Sequence, residues 1–127
     1  MSELIMTINV TTYEAQTLEG HSRVVMIPFS AEATGKYFSG KTVANGIDTQ
    51  TTTNDEYSLS ARYMLEGADL SGKKCRIFIE NNGTSLDNCK PKIYTDSEEL
   101  AFLENAELAA KVECTENGCV VRIFMYE

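Results

Sequence analysis

Apolar and polar side chains alternate along most of this chain with a period of two. Alternation carried by β-branched and aromatic residues predicts half-buried β-strands. Leu4–Tyr13 sets Leu4, Met6, Ile8 and Val10 against Ile5, Thr7, Asn9 and Thr11. Leu18–His21 reads as a turn. Arg23–Phe29 is a strongly apolar strand, and Pro28 marks a bulge or an unpaired edge position because proline has no N–H for the ladder. Lys36–Ala44 and Ile47–Thr53 are weaker strands, and Asn45-Gly46 between them signals a hairpin. Glu56–Glu66 is the clearest strand. One face carries Tyr57, Leu59, Ala61, Tyr63 and Leu65, and the other Ser58, Ser60, Arg62 and Met64. Lys74–Asn82 presents Cys75, Ile77, Ile79 and Asn81 on one side and Arg76, Phe78, Glu80 and Asn82 on the other. Asn81-Asn82-Gly83 reads as the turn that ends it, and Thr84–Lys92 reads as a loop. Ser97–Glu104 is the one predicted helix, about two turns long, with Asp96 or Ser97 as its cap and an acidic first turn that suits the helix dipole. Glu107–Cys114 and Cys119–Tyr126 form a closing hairpin over Glu116-Asn117-Gly118.

About eight to nine short antiparallel strands and one short helix in 127 residues predict an all-β fold in one domain, 1–127. Short sequential hairpins favour a small antiparallel β-barrel over a sandwich, because closure removes unpaired edges. The uniformly apolar faces should point inward: Ile77 and Ile79, then Val121, Ile123 and Met125. That places Arg62, Arg76, Phe78, Glu80, Arg122, Phe124 and Tyr126 outside, a mixed aromatic and arginine surface of the kind used in homo-oligomer contacts. Asn81 then shares the inward face and needs a buried partner or a ligand.

Asp48 and Arg62 are the candidate catalytic pair. Asp48 begins a strand after a glycine, and Arg62 sits mid-strand. A buried Arg62 requires a carboxylate, which Asp48 or Glu80 can supply. In a barrel lumen Asp48 would act as acid or base and Arg62 would stabilise an anion or enolate. Tyr63, Glu80 and Asn81 are the candidate ligand-binding residues. The bland alternative leaves Arg62 in solvent, or makes an Asp48–Arg62 bridge a closure pin. The lone histidine, His21, follows Gly20 in a turn and reads as solvated rather than catalytic.

Composition narrows the partners. With 11 Lys+Arg against 19 Asp+Glu, the formal charge is −8, which disfavours nucleic acid and anionic membrane surfaces. The start Met1-Ser2-Glu3-Leu4 is not a signal peptide, and no apolar run is long enough to span a bilayer, so a soluble cytoplasmic protein is expected. The four cysteines have no C-x-x-C spacing, so no metal site is expected. In a reducing compartment they are expected as free thiols, although Cys114 and Cys119 should face each other across the last hairpin. No phosphate-cradling or dinucleotide motif appears, and no cofactor is expected.

Several segments together resemble one family. Gly35-Lys-Tyr-Phe-Ser-Gly40-Lys-Thr-Val-Ala-Asn-Gly46-Ile-Asp48 resembles the G-P-x-L-x-G-x-V-x-x-G-A-D pattern of the domain of unknown function 3237 family, also called uncharacterised protein family 0311. Ala61-Arg62-Tyr63-Met64-Leu65 is similar to its A-R-Y-x-L segment, and Ile79–Gly83 to its V-x-N-x-G segment. Ala101-Phe102-Leu103 and Val121–Tyr126 resemble its W-L-N step and terminal strand. Thr49 replaces the aromatic that follows the aspartate, and Phe102-Leu103-Glu104 loses the tryptophan and asparagine. If either aromatic lines a pocket, that pocket is remodelled here. The resemblance implies a calycin-like barrel, often oligomeric, with no activity established for the family as a whole. Some relatives suggest a lyase, cyclase or hydrolase on a polyketide-like substrate. The expectation is a barrel that binds a small organic molecule, as a cofactor-independent enzyme of that kind or, alternatively, as a non-catalytic structural or interaction barrel.

Overall fold

The alternating segments fold as strands: β1 (Ser2–Thr12), β2 (Gln16–Glu19), β3 (Ser22–Gly35), β4 (Ser39–Thr42), β5 (Gly46–Thr53), β6 (Glu56–Ala68), β7 (Lys74–Ser85), β8 (Asn88–Thr95), β9 (Glu107–Cys114) and β10 (Gly118–Tyr126). The computed structural model describes residues 1–127. The strands close into an antiparallel barrel of eight lanes. β1 pairs with β10 on one side and β3 on the other.

Ten strands fill eight lanes because two lanes are interrupted. β1 and β2 lie in succession along β3, which pairs Arg23–Met26 with β2 and Phe29–Gly35 with β1. Pro28 falls in the gap between them, opposite the extra residues 13–15, and its carbonyl accepts the Tyr13 N–H at 2.9 Å. This is the bulge that the proline predicts. It also moves Leu18 and Glu19 from the expected turn into β2.

β4 and β5 likewise share one lane between β3 and β6. Asn45-Gly46 is therefore not a hairpin. A type I′ turn needs positive φ at both central residues, and among the glycines only Gly72 has it, at 78°. Gly46 is needed for space instead: a Cβ there would lie 2.6 Å from Tyr63 Cβ and 2.7 Å from Phe29 Cζ. The tight turn is Asn54-Asp55, with φ of 50° and 66°, joining the paired residues Thr53 and Glu56.

The inward faces follow the alternation. Leu65, Ile77, Ile79 and Ile123 are fully buried in a core cluster of 21 residues. Each such side chain contributes about 1.5–3 kcal/mol of burial. β1 departs from strict alternation, because a bulge between Leu4 and Met6 turns both Ile5 and Met6 inward and leaves Leu4 47% exposed.

Two expected boundaries shift. β7 runs on to Ser85, so Asn81-Asn82-Gly83 is strand; a Cβ on Gly83 would meet Cys89 Sγ at 2.6 Å. The expected loop Thr84–Lys92 contains the start of β8, where Cys89, Pro91 and Ile93 alternate inward. Pro91 is tolerated because the β8–β9 ladder is thin, with only Cys89 and Ala110 in register.

The expected helix shortens to one 3-10 turn, Ala101–Glu104. The tighter turn aligns side chains three apart, and the buried Leu100 and Leu103 have that spacing. Ser97 Oγ accepts the Leu100 N–H at 3.3 Å and donates to Asp69 Oδ2 at 3.0 Å. Asp69 Oδ1 accepts the Ser71 and Lys73 N–H groups, each at 3.0 Å, which fixes the β6–β7 loop. The segment thus closes the barrel end that carries this loop. Neither Asp96 nor Ser97 caps this turn, whose N-cap is Leu100 with no side-chain cap. Ser97→Ala is expected to cost about 1 kcal/mol, the usual net size of a lost hydrogen bond, as a lower midpoint in urea.

Candidate functional site

The opposite end of the barrel is not packed solid. A cavity of about 60 Å³ lies there, lined mainly by apolar side chains including Phe29, Leu59, Tyr63, Leu86, Cys119 and Val121. Its polar side chains include Asp48, Asn81 and Thr12, and no Lys, Arg or His lines it. The strand register explains the placement. Ile27, Asp48, Ala61, Asn81 and Pro91 form one row across β3, β5, β6, β7 and β8. Asp48 and Asn81 flank Ala61, about 10 Å apart at the backbone, which is two strand spacings. The methyl of Ala61 leaves the space between them open.

Both flanking residues carry an unpaired buried oxygen. Asp48 Oδ2 accepts a hydrogen bond from Gln50 Nε2 at 2.8 Å, but Oδ1 has no partner. Asn81 is 3% exposed, and its Oδ1 has no partner either. Cys89 Sγ–H donates to the Ser85 carbonyl at 3.2 Å. Burial pushes the Cys89 thiol up and the Asp48 charge adds to this, while a hydrogen bond from Asn81 opposes it. The unpaired atom of Asn81 is its carbonyl oxygen, an acceptor. Each buried unpaired oxygen costs about 1–3 kcal/mol, so this end of the barrel is built against stability.

Burial pushes the Asp48 carboxyl above its ordinary range, and the Gln50 hydrogen bond offsets this in part. Burial also pushes the Tyr63 hydroxyl well up, and Tyr63 packs edge-on against Phe29 with centroids 5.1 Å apart. Tyr57 is raised by burial and by the Asp48 charge.

Comparisons with known proteins identify the architecture. No family model matches the chain, and no curated protein does. Among solved structures, it is similar to a protein of unknown function from Clostridium acetobutylicum, with a TM-score of 0.84 and 21% identity over 100% of this chain and 97% of that one. An enzyme from Penicillium herquei gives 0.81 at 15% identity, over 100% and 94%. A β-barrel-like protein from Acinetobacter baumannii gives 0.77 at 13%, over 100% and 97%. At these identities the likeness is one of fold.

Three of the five residues singled out in the sequence, Asp48, Tyr63 and Asn81, meet at the cavity. Arg62 and Glu80 do not. Arg62 is one residue beyond Ala61 in β6, so its side chain leaves through the opposite face. It is 66% exposed, with Nε 3.0 Å from Glu80 Oε2 on the outer wall. The Asp48–Arg62 pair does not form, and Glu80 is a surface partner rather than a cavity residue. Exposed pairs of this kind contribute little. Arg62→Ala is expected to shift stability by less than about 1 kcal/mol and to leave the cavity unaffected, as read by thermal melting and by ligand titration.

Gln50, Phe29, Leu86 and Cys119 were not anticipated. For Gln50 the signal is its place two residues after Asp48, hence on the same face. Thr49 points to the other face, and Phe102 packs edge-on with Tyr37 at the closed end, 5.2 Å between centroids. The two departures from the family pattern therefore lie outside this cavity. His21 is exposed in its turn, as expected. No three His, Cys, Asp or Glu side chains gather to hold a metal ion, and no helix is long and apolar enough to cross a membrane.

Cys114 and Cys119 are paired across β9 and β10, and both thiols are free. Burial pushes the Cys119 thiol up to about 11, with Cys114 and Asp48 adding to it. The reactive thiolate of Cys119 is therefore scarce at neutral pH. Diamide is expected to join the pair slowly at pH 7 and faster as the pH rises, followed by loss of free-thiol titre in intact protein and in Cys114→Ser.

Proposed function

We propose that the cavity binds a small organic molecule and that Asp48 is the group that exchanges a proton with it. One observation carries this reading: Asp48 and Asn81 each hold an unpaired buried oxygen over the same small residue, Ala61. Buried polar groups are ordinarily paired, and an exception in an apolar pocket marks a ligand position. A carboxyl raised by burial in an apolar pocket is a candidate for general acid or base work. Asn81 and Tyr63 would orient the ligand. A cofactor-independent lyase, cyclase or hydrolase needs little more than such a group in a water-poor pocket.

Two further observations support the reading. The Penicillium herquei structure of the same fold is an enzyme. The segments that resemble the domain of unknown function 3237 family supply Asp48, Ala61, Tyr63 and Asn81 to the cavity, and we propose the chain as a distant relative of that family. The test is native mass spectrometry of protein purified directly from cells. A retained small molecule is expected on the wild type and should be lost from Ala61→Leu, which fills the gap between the two oxygens. A wild type that carries no molecule and gains none from a cell extract overturns the reading.

A second reading, an interaction barrel, is favoured by the outer wall. Phe78 and Tyr94 stack there, 6.2 Å between centroids, beside the exposed Met64. An aromatic patch flanked by Arg76 suits a homo-oligomer contact. Sedimentation of the wild type against Tyr94→Glu tests it.

A further inference from the structure

We infer that the ligand of this cavity is a primary ammonium on an apolar body, taken head-first with its charge against Asp48. The inference rests on the cavity being a binding site and names the class of molecule that fits it. Both unpaired atoms at the cavity, Asp48 Oδ1 and Asn81 Oδ1, are acceptors, so the missing partner there is a donor; the third unpaired buried atom, Ser60 Oγ, lies outside the cavity. No cationic side chain lines the cavity, and Arg62, the cation nearest in sequence register, is committed to Glu80 on the outer wall. An ionised Asp48 thus has the Gln50 amide and no counter-charge.

A hydroxyl supplies one donor and no charge. An ammonium supplies three donors and a full positive charge, which matches the Asp48 carboxylate and leaves donors for a second acceptor. Phe29 and Tyr63 line the same cavity, and aromatic rings favour a cation over an anion. Size agrees: about 60 Å³ is the liquid volume of about two waters. That admits an ammonium head and leaves the ligand's body outside it, on the side of the partly exposed Leu86. A formal charge of −8 draws cations towards the molecule and repels anions.

The groups facing Asp48 from the surrounding strands are Tyr57 and Tyr63 on β6, Cys89 on β8, and Cys119 on β10. Burial raises each of them, so all four are neutral wherever Asp48 titrates. Asp48 is then the group that sets the pH dependence of amine binding on the protein side. Its affinity should fall as the pH drops through the Asp48 ionisation.

The experiment titrates the protein with benzylamine, benzyl alcohol and benzoate, followed by amide NMR shifts at several pH values. Benzylamine is expected to bind tightest, to perturb residues around Ala61 and Asn81, and to weaken in acid. Asp48→Asn should lower its affinity by about tenfold or more, the scale of a charged hydrogen bond. Asn81→Leu should lower it by less, and both variants should keep the wild-type spectrum elsewhere. If benzyl alcohol binds as tightly and also depends on Asp48, the ammonium inference falls and the binding site stands. If none of the three probes binds around Ala61 while extract-derived ligands do, the inference falls alone. If nothing binds at all, it falls together with the proposed function.

Discussion

Asp48→Asn is expected to melt above the wild type at neutral pH while losing ligand binding by about tenfold or more. Both effects have one origin. The carboxyl sits among apolar groups with one oxygen unpaired, and burial raises it above its ordinary range. A folded state that holds its proton more tightly than the unfolded chain is favoured at low pH. The stability that this proton contributes is complete below the unfolded value. It is lost as the pH rises through the folded one, because there the unfolded chain binds fewer protons than the native state. Asparagine keeps the shape and the Gln50 neighbour without the charge. The gap in melting temperature should therefore be widest near neutrality and close towards acid. Melting curves of both proteins across that range check it; a variant less stable than the wild type at every pH would show that ionised Asp48 supports the fold. Loss of binding with gain of stability is the mark of a residue kept for function.

Gly46→Val is expected to destabilise the barrel by more than about 3 kcal/mol, the upper end for overpacking a core. In a domain of this size that lowers the melting temperature by roughly 10 °C. The added Cβ would lie 2.6 Å from Tyr63 Cβ, 2.7 Å from Phe29 Cζ and 2.8 Å from the Arg62 carbonyl oxygen. Two of these atoms belong to β6 at or next to its backbone and cannot swing aside. Phe29 is itself buried, at 3% exposure. The clash also pushes Tyr63 towards the cavity, so ligand affinity should fall with stability. Gly20→Ala is the control: a Cβ there meets only the Ser22 carbonyl oxygen, at 4.0 Å. A mild effect at Gly46 would mean that β5 and β6 can separate there, and that the row Asp48–Ala61–Asn81 is not rigidly held.

How much of this was legible in the sequence depends on the range of the interaction that decides each feature. Period-two alternation settled the strands, the all-β class and the inward faces of β6, β7 and β10, because a half-buried sheet sorts side chains by hydrophobicity one residue at a time. Asn81 shows the strength of that rule: its place in alternation with Ile77 and Ile79 is enough to put an amide on the inside. Pro28 marked its bulge because the missing N–H is a property of the residue itself.

The tertiary structure decided everything that depends on which strands become neighbours. Asn45-Gly46 has the composition of a hairpin turn, yet β4 and β5 share a lane, because barrel closure gives each a better partner in β3 and β6. Thr84–Lys92 lacks strong β-formers, yet β7 supplies a ladder for β8. Ser97–Glu104 has helical periodicity, yet the barrel end takes only Leu100 and Leu103. Arg62 was separated from Asp48 by the same alternation that predicted the strands, since a one-residue offset across a ladder reverses the face. The alternation could assign each residue a side. Only the register between distant strands could set Asp48 and Asn81 across Ala61 with their oxygens unpaired, because hydrogen-bonded pairing across a sheet is long-range and leaves no local trace in the chain.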